Sequence, residues 1–328
     1  MSVRPLIAAV LAIAFFLSCT NQRKLSLDLR DPDPRWARID SLSDIGQYAT
    51  ALELTDTILH ASQAAADWRT EFRAWMYRSR FQQNTGVERK EILQAMEYRA
   101  NSSDIPLSQL LHSVLAESWW NYYQQDRWTI LERTNTSSNL EDPNTWTQRQ
   151  FMEKVIGEYR LSLEPADSLK RIPVGELGNL LVYETSYLKS EDWEREKSSA
   201  QALRPTLFDL LANRALEVFT NSETRIAEPS WRFKLDDPRS FALFEDFAYT
   251  PFSHRDSTAW EFQALRLYQQ LEKLHLSDTK PDALVDVTLA RLAYVREHST
   301  FANKDSIHLH TLEVLRSRLP KNDCWSEV

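Results

Sequence analysis

Glycine is nearly missing: the 328 residues contain 5, where average usage of about 7% would give roughly 23. So few glycines cannot supply the Gly-rich loops of nucleotide sites, a Walker loop among them. Cysteine is scarcer still, with 2 in the chain, which excludes a paired Cys-x-x-Cys and a disulfide-stapled fold. No His-Glu-x-x-His zinc motif and no Gly-x-Ser-x-Gly elbow occurs, so hydrolase and metalloenzyme readings drop. Basic charge is in deficit, with 39 Lys+Arg against 47 Asp+Glu and a net charge of -8. An acidic chain with a pI near 5.5 is a poor partner for nucleic acid. Asn-Gly and Asp-Gly turn pairs are absent, and no stretch sustains alternation of β-branched and polar residues, so strands have little support. What remains is 42% hydrophobic and 11% aromatic. A chain of this size and composition buries about three quarters of its unfolded surface, which excludes global disorder.

The amino terminus reads as an export signal. Arg4 supplies a positive n-region, and Leu6 to Leu17 form an apolar stretch of h-region length, too short to span a bilayer. It ends Phe16-Leu17-Ser18-Cys19, which resembles a bacterial lipobox, with Phe16 in place of the commoner Leu. Cleavage after residue 18 would leave Cys19 as a lipidated N-terminus, and removal of Arg4 would shift the net charge from -8 to -9. Thr20 stands where an aspartate would signal inner-membrane retention, so the resemblance favours the outer membrane, facing the periplasm. No second apolar run approaches the roughly 18 residues of a membrane span, so lipid is the anchor expected. Cys324 alone cannot form an internal disulfide once Cys19 carries lipid.

The rest reads as helices. Leu107, Leu110, Leu111, Val114, Leu115, Trp119 and Tyr122 form a helix-period stripe over four turns. Trp260, Ala264, Leu267, Tyr268, Leu271 and Leu274 repeat it, as do Leu207, Leu210, Leu211, Ala215, Val218 and Phe219. Pro106 and Pro205 suit first-turn positions. Gly46-Gln47-Tyr48-Ala49-Thr50-Ala51-Leu52 resembles the turn of a tetratricopeptide hairpin, but no clean 34-residue period follows. The expectation is an all-α fold, an irregular array of helical hairpins in a TPR-like superhelix. Breaks fall at Thr134 to Thr145, Ser190 to Gln201 and Asn221 to Ser230. The expected organisation is a signal peptide at 1–18, a flexible tether at 19–33, a helical half at 34–189, a charged insertion at 190–202, a second helical half at 203–320 and an irregular tail at 321–328.

Few residues suggest chemistry. His308 and His310 sit two apart, on opposite faces of a helix, so no metal site is expected, and no cofactor either. Glu223, Glu228, Asp236, Asp237, Glu245 and Asp246 read as solvated or capping acids. The most unusual stretch is Trp119 to Trp128, rich in aromatics and amides. Its aromatics either pack two faces of a helix into the core or, with Trp120, Tyr123 and Trp128 exposed, form a sugar-stacking platform.

The run Trp120-Asn121-Tyr122-Tyr123-Gln124-Gln125-Asp126-Arg127-Trp128-Thr129-Ile130-Leu131-Glu132-Arg133-Thr134 resembles the N-terminal helical region of large bacterial α2-macroglobulin-like lipoproteins. Ser162 to Leu169, Leu203 to Leu210 and Asp282 to Val287 resemble the same region, and the likeness runs from about Asp33 to Pro320. That family restrains proteases with a cleavable bait segment and, in many members, a Cys-x-Glu-Gln thioester on β-sandwich domains. Here Cys324 is followed by Trp325-Ser326-Glu327-Val328, and no strand-rich segment occurs. The resemblance therefore implies the membrane-proximal helical module alone, in a truncated or frameshifted reading frame. The leading expectation is a non-catalytic, lipid-anchored scaffold that holds the remaining domains of such an inhibitor or docks a protein partner. The alternatives are a stand-alone outer-membrane helical-repeat lipoprotein that binds glycan or a partner protein, and a hydrolase drawing on the many acids.

Overall fold

A computed structural model describes residues 25–27, 33–133, 142–183, 200–221, 233–252 and 259–318. Cys19, the signal segment, residues 190–199 of the charged insertion and the tail at 321–328 lie outside the described residues. The fold is all-α, with helices α1 (Pro34–Asp44), α2 (Tyr48–Ala64), α3 (Trp68–Asn84), α4 (Arg89–Ser102), α5 (Leu107–Leu131), α6 (Gln148–Ser162) and the single turn α7 (Ala166–Leu169). There follow α8 (Leu207–Phe219), the single turn α9 (Phe244–Phe247), α10 (Trp260–His275), α11 (Asp282–His298) and α12 (Lys304–Arg318). All three apolar stripes of the sequence become helices, namely α5, α8 and α10.

The first helices share one way of ending. Gly46, Ala66 and Gly86 have positive φ of 76°, 53° and 86° and stand twenty residues apart. At each, the chain closes a Schellman motif. After α1, Gln47 N donates to Leu42 O at 2.9 Å and Gly46 N to Ser43 O at 3.0 Å. After α2, Asp67 N donates to Ser62 O at 2.9 Å and Ala66 N to Gln63 O at 3.3 Å. After α3, Val87 N donates to Gln82 O at 3.0 Å and Gly86 N to Gln83 O at 3.4 Å. Asp67 also starts α3, accepting from Thr70 N at 3.3 Å. The left-handed residue suits Gly46 and Gly86, which lack a Cβ to clash, and strains Ala66. A turn at Gly46 was legible in the sequence; the twenty-residue recurrence was hidden because alanine occupies the middle copy.

Helix α5 is the centre. It packs against α3, α4, α6 and α8, and its buried residues include Leu107, Leu110, Leu111, Ser113, Leu115, Ala116, Trp119, Trp120, Tyr122 and Tyr123, which together point all round its axis. A helix covered on several sides buries residues well beyond its apolar stripe. Each of its buried large side chains contributes roughly 1.5–3 kcal/mol by leaving water. The core is one continuous cluster from Trp36 in α1 to Val295 in α11. Helices from both expected halves join it, since Trp120 meets Trp260 at 5.5 Å and Tyr159 meets Phe219 at 5.5 Å between ring centroids.

Two expectations change in detail. Within the 19–33 tether, Leu25–Leu27 pair antiparallel with Leu181–Tyr183, Ser26 opposite Val182. Three-residue strands are too short to show alternation, so the sequence pattern could not flag them. Pro106 is the N-cap of α5, and Pro205 precedes Thr206, the N-cap of α8. Both prolines thus lie just outside the first turn.

Candidate functional site

The aromatic stretch divides between core and surface. Trp120 and Tyr123 are buried, at 6% and 2% exposure, whereas Trp128 is 70% exposed. Trp119 packs on Trp146 at 5.0 Å, and the Tyr123 hydroxyl accepts from Gln148 Nε2 at 2.9 Å. Arg127 lies over the Trp128 ring at 4.6 Å. The three rings therefore do not share one open face, and the first two cannot meet a sugar without dismantling the core.

Charged side chains concentrate at the joints between helices. Glu71 of α3, itself buried, receives Gln63 Nε2 of α2 at 3.0 Å and Arg99 Nε of α4 at 2.6 Å. Glu158 of α6 receives His112 Nδ1 of α5 at 2.7 Å and Lys154 Nζ at 2.7 Å. Lys154 reaches on to Glu97 of α4 at 2.6 Å. Burial alone would push the Glu158 carboxyl up, but the His112 hydrogen bond and the Lys154 charge outweigh it and hold its pKa below the ordinary value. Arg214 of α8 donates to Ser113 Oγ at 2.9 Å and to Glu117 at 2.7 Å, both on α5.

The clearest constellation links α8 to α10. Thr206 N donates to Asp209 Oδ2 at 2.8 Å and the Thr206 hydroxyl donates to the same oxygen at 2.6 Å, a reciprocal capping box at the start of α8. The other oxygen, Asp209 Oδ1, faces His275 Nε2 at 2.8 Å, while His275 Nδ1 faces Asp278 Oδ2 at 2.7 Å. With a carboxylate on each ring nitrogen, both nitrogens donate only when the ring is an imidazolium. Burial opposes that cation, yet the hydrogen bonds and charges of Asp209 and Asp278 prevail and raise the His275 pKa. One helix further, fully buried Arg291 donates to Glu272 at 2.7 Å and to the carbonyls of Ser240 and Ala242, and lies 3.9 Å from the Phe247 ring centroid. Burial lifts the Glu272 carboxyl above its ordinary pKa, and Arg291 pulls it back only in part.

These groups were missed in the sequence because His112 and Glu158 are 46 residues apart and Asp209 and His275 are 66 apart. One signal was available: Thr206-Leu207-Phe208-Asp209 fits the capping-box pattern. Among the acids singled out, Asp237 does cap a turn, accepting from Arg239 N at 2.9 Å. Asp236, Glu245 and Asp246 are exposed, and Glu223 and Glu228 lie outside the described residues. His308 is half-buried and His310 exposed. Among the described residues no three His, Cys, Asp or Glu side chains gather where they could hold a metal, and no helix is long and apolar enough to cross a membrane.

A groove opens where α6, the end of α8 and α10 meet, with a volume of about 110 Å³. Ile156, Leu163, Phe219 and Leu267 floor it, and Arg160 and Arg266 stand at its rim.

No protein-family model, curated protein or solved structure matches the chain.

Proposed function

We propose that this chain is a lipid-anchored helical scaffold without catalytic activity, tethered through Cys19 to the periplasmic side of the outer membrane. In this reading it is the membrane-proximal, TPR-like module of an α2-macroglobulin-like inhibitor, and it holds the other domains or a protein partner. The observation that carries it is where the ionisable side chains go. Glu71, Glu158, Asp209, Glu272 and Arg291 are buried and spent on joining one helix to another, which favours a stiff frame over a reactive cleft. The recurrent helix ends at Gly46, Ala66 and Gly86 suit a stacked array, where each unit rests on its neighbours.

Two measurements test the two parts of this reading. Metabolic labelling of the full-length protein with an alkyne fatty acid should mark the wild type and not Cys19→Ala; an unlabelled wild type refutes the anchor. Incubating the purified chain with proteases should leave them fully active, and stoichiometric trapping of a protease by this polypeptide alone refutes the scaffold.

A further inference from the structure

We infer that the groove between α6 and α10 is a binding site for a short aliphatic carboxylate. The inference is independent of the lipid anchor and of the family reading. Arg160 and Ile156 lie one turn apart on α6, and Arg266 and Leu267 lie on the face of α10 opposite them, so each wall brings one guanidinium and one aliphatic side chain. Phe219 closes the bottom, its ring set edge-on to Trp260 at 5.4 Å and to Tyr159 at 5.5 Å. These buried contacts fix the floor without any help from a ligand.

The rim carries two guanidiniums without a carboxylate partner among the described residues, that of Arg266 lying 5.9 Å from the Phe262 ring centroid. The chain is acidic, at -8, and arginines such as Arg78, Arg99, Arg214 and Arg291 sit on carboxylates. Among the described residues neither Arg160 nor Arg266 has a carboxylate within 4.0 Å, and that includes Glu164, which also borders the groove. Gln263 and Gln270 of α10 add amide groups at the same rim. Guanidinium groups match a carboxylate with paired, charge-assisted hydrogen bonds, and the apolar floor takes the carbon chain that follows it. Size sets the class: about 110 Å³ is well under the roughly 300–1,000 Å³ of pockets for drug-sized molecules. A cofactor is too large, whereas a chain of a few carbons fits.

Hexanoate is the probe, and hexanol, which keeps the chain and loses the charge, is its control. In ligand-observed NMR titrations of the full chain, hexanoate should give a saturable signal and hexanol should bind at least tenfold more weakly. Arg160→Gln and Arg266→Gln should each weaken hexanoate about tenfold, and Arg38→Gln, an exposed arginine on α1, should leave it unchanged. Both groove arginines are exposed and hold no ion pair among the described residues, so their replacement does not threaten folding. The proposal is overturned by no saturable hexanoate signal, by equal binding of hexanol, by groove variants that bind like wild type, or by an equal loss in Arg38→Gln.

Discussion

Replacing His275 with leucine should destabilise the protein by about 3 kcal/mol near pH 6, and the deficit should shrink as the pH rises. The magnitude follows from what each nitrogen touches. Nε2 donates to Asp209 at 2.8 Å, with both side chains buried at 3% and 1% exposure. Such a charged hydrogen bond contributes about 1.5–3 kcal/mol. Nδ1 donates to Asp278, whose side chain is 36% exposed, and solvent screening reduces that arm to about 0.5–1 kcal/mol. Leucine would not leave Asp209 wholly without donors, because Thr206 still serves Oδ2 through its amide and hydroxyl. The loss therefore falls at the lower end of the roughly 3–5 kcal/mol for breaking a buried pair.

The sign of the pH dependence comes from the direction of the shift. His275 has a raised pKa in the folded protein, so its contribution is complete below the ordinary histidine value of about 6.5 and fades as pH climbs through the folded value. Asp209 on α8 and Asp278 after α10 are the acids that hold the proton there. Urea unfolding followed by tryptophan fluorescence, on wild type and His275→Leu from about pH 6 to about pH 9, measures it. A deficit that stays flat across that range, or grows, refutes an imidazolium at this joint.

The other expectations concern backbone, core and the second buried pair. Ala66→Gly should stabilise by up to about 1 kcal/mol, because relief of a left-handed alanine exceeds the entropy that glycine adds to the unfolded chain, and Gly86→Ala should cost about 1 kcal/mol; urea midpoints decide both. Trp120→Ala should cost about 3–5 kcal/mol and Trp128→Ala less than about 0.5 kcal/mol, and equal losses in the two would contradict their division between core and surface. Arg291→Met should cost about 3–5 kcal/mol by removing the cation that pairs with buried Glu272 and the donors to two carbonyls. Adding Glu272→Met should recover part of it, which a double-mutant cycle resolves.

Long, regular helices were legible from the sequence because a single face repeats within one stretch. The stripe over Trp260 to Leu274 and the helix Trp260–His275 agree to a residue or so. Helix α5 ran further than its stripe, to Leu131, since Gln124, Gln125 and Arg127 are good helix formers that carry no apolar signal. What stayed hidden was everything that depends on pairing across the chain. No local pattern says that His275 will choose Asp209, or that Arg291 will reach the carbonyls of Ser240 and Ala242. The aromatic stretch shows the same limit from the other side: Trp120 and Tyr123 lie one residue around the helix from the stripe of Trp119 and Tyr122, and only their neighbours, Trp260 and Gln148, settle that they are covered.

The placement of charge explains how an acidic, glycine-poor chain can build this frame. Apolar packing alone is tolerant of sliding one helix along another, because dispersion contacts are numerous and individually weak. A buried ion pair is not tolerant, since a shift of one turn strands both charges. Glu71 fixes α2 and α4 on α3, Glu158 fixes α5 on α6, Asp209 fixes α10 on α8, and Glu272 fixes α11 on α10. The result is a series of joints in which the aromatic core supplies most of the stability and a buried carboxylate at each of these joints, holding donors from the neighbouring helix, sets the register. Arg160 and Arg266 stand apart from that scheme, at the groove where Phe219 packs on Trp260 and Tyr159. Among the described residues neither holds an ion pair that joins two helices, which is why the inferred carboxylate site is placed on them.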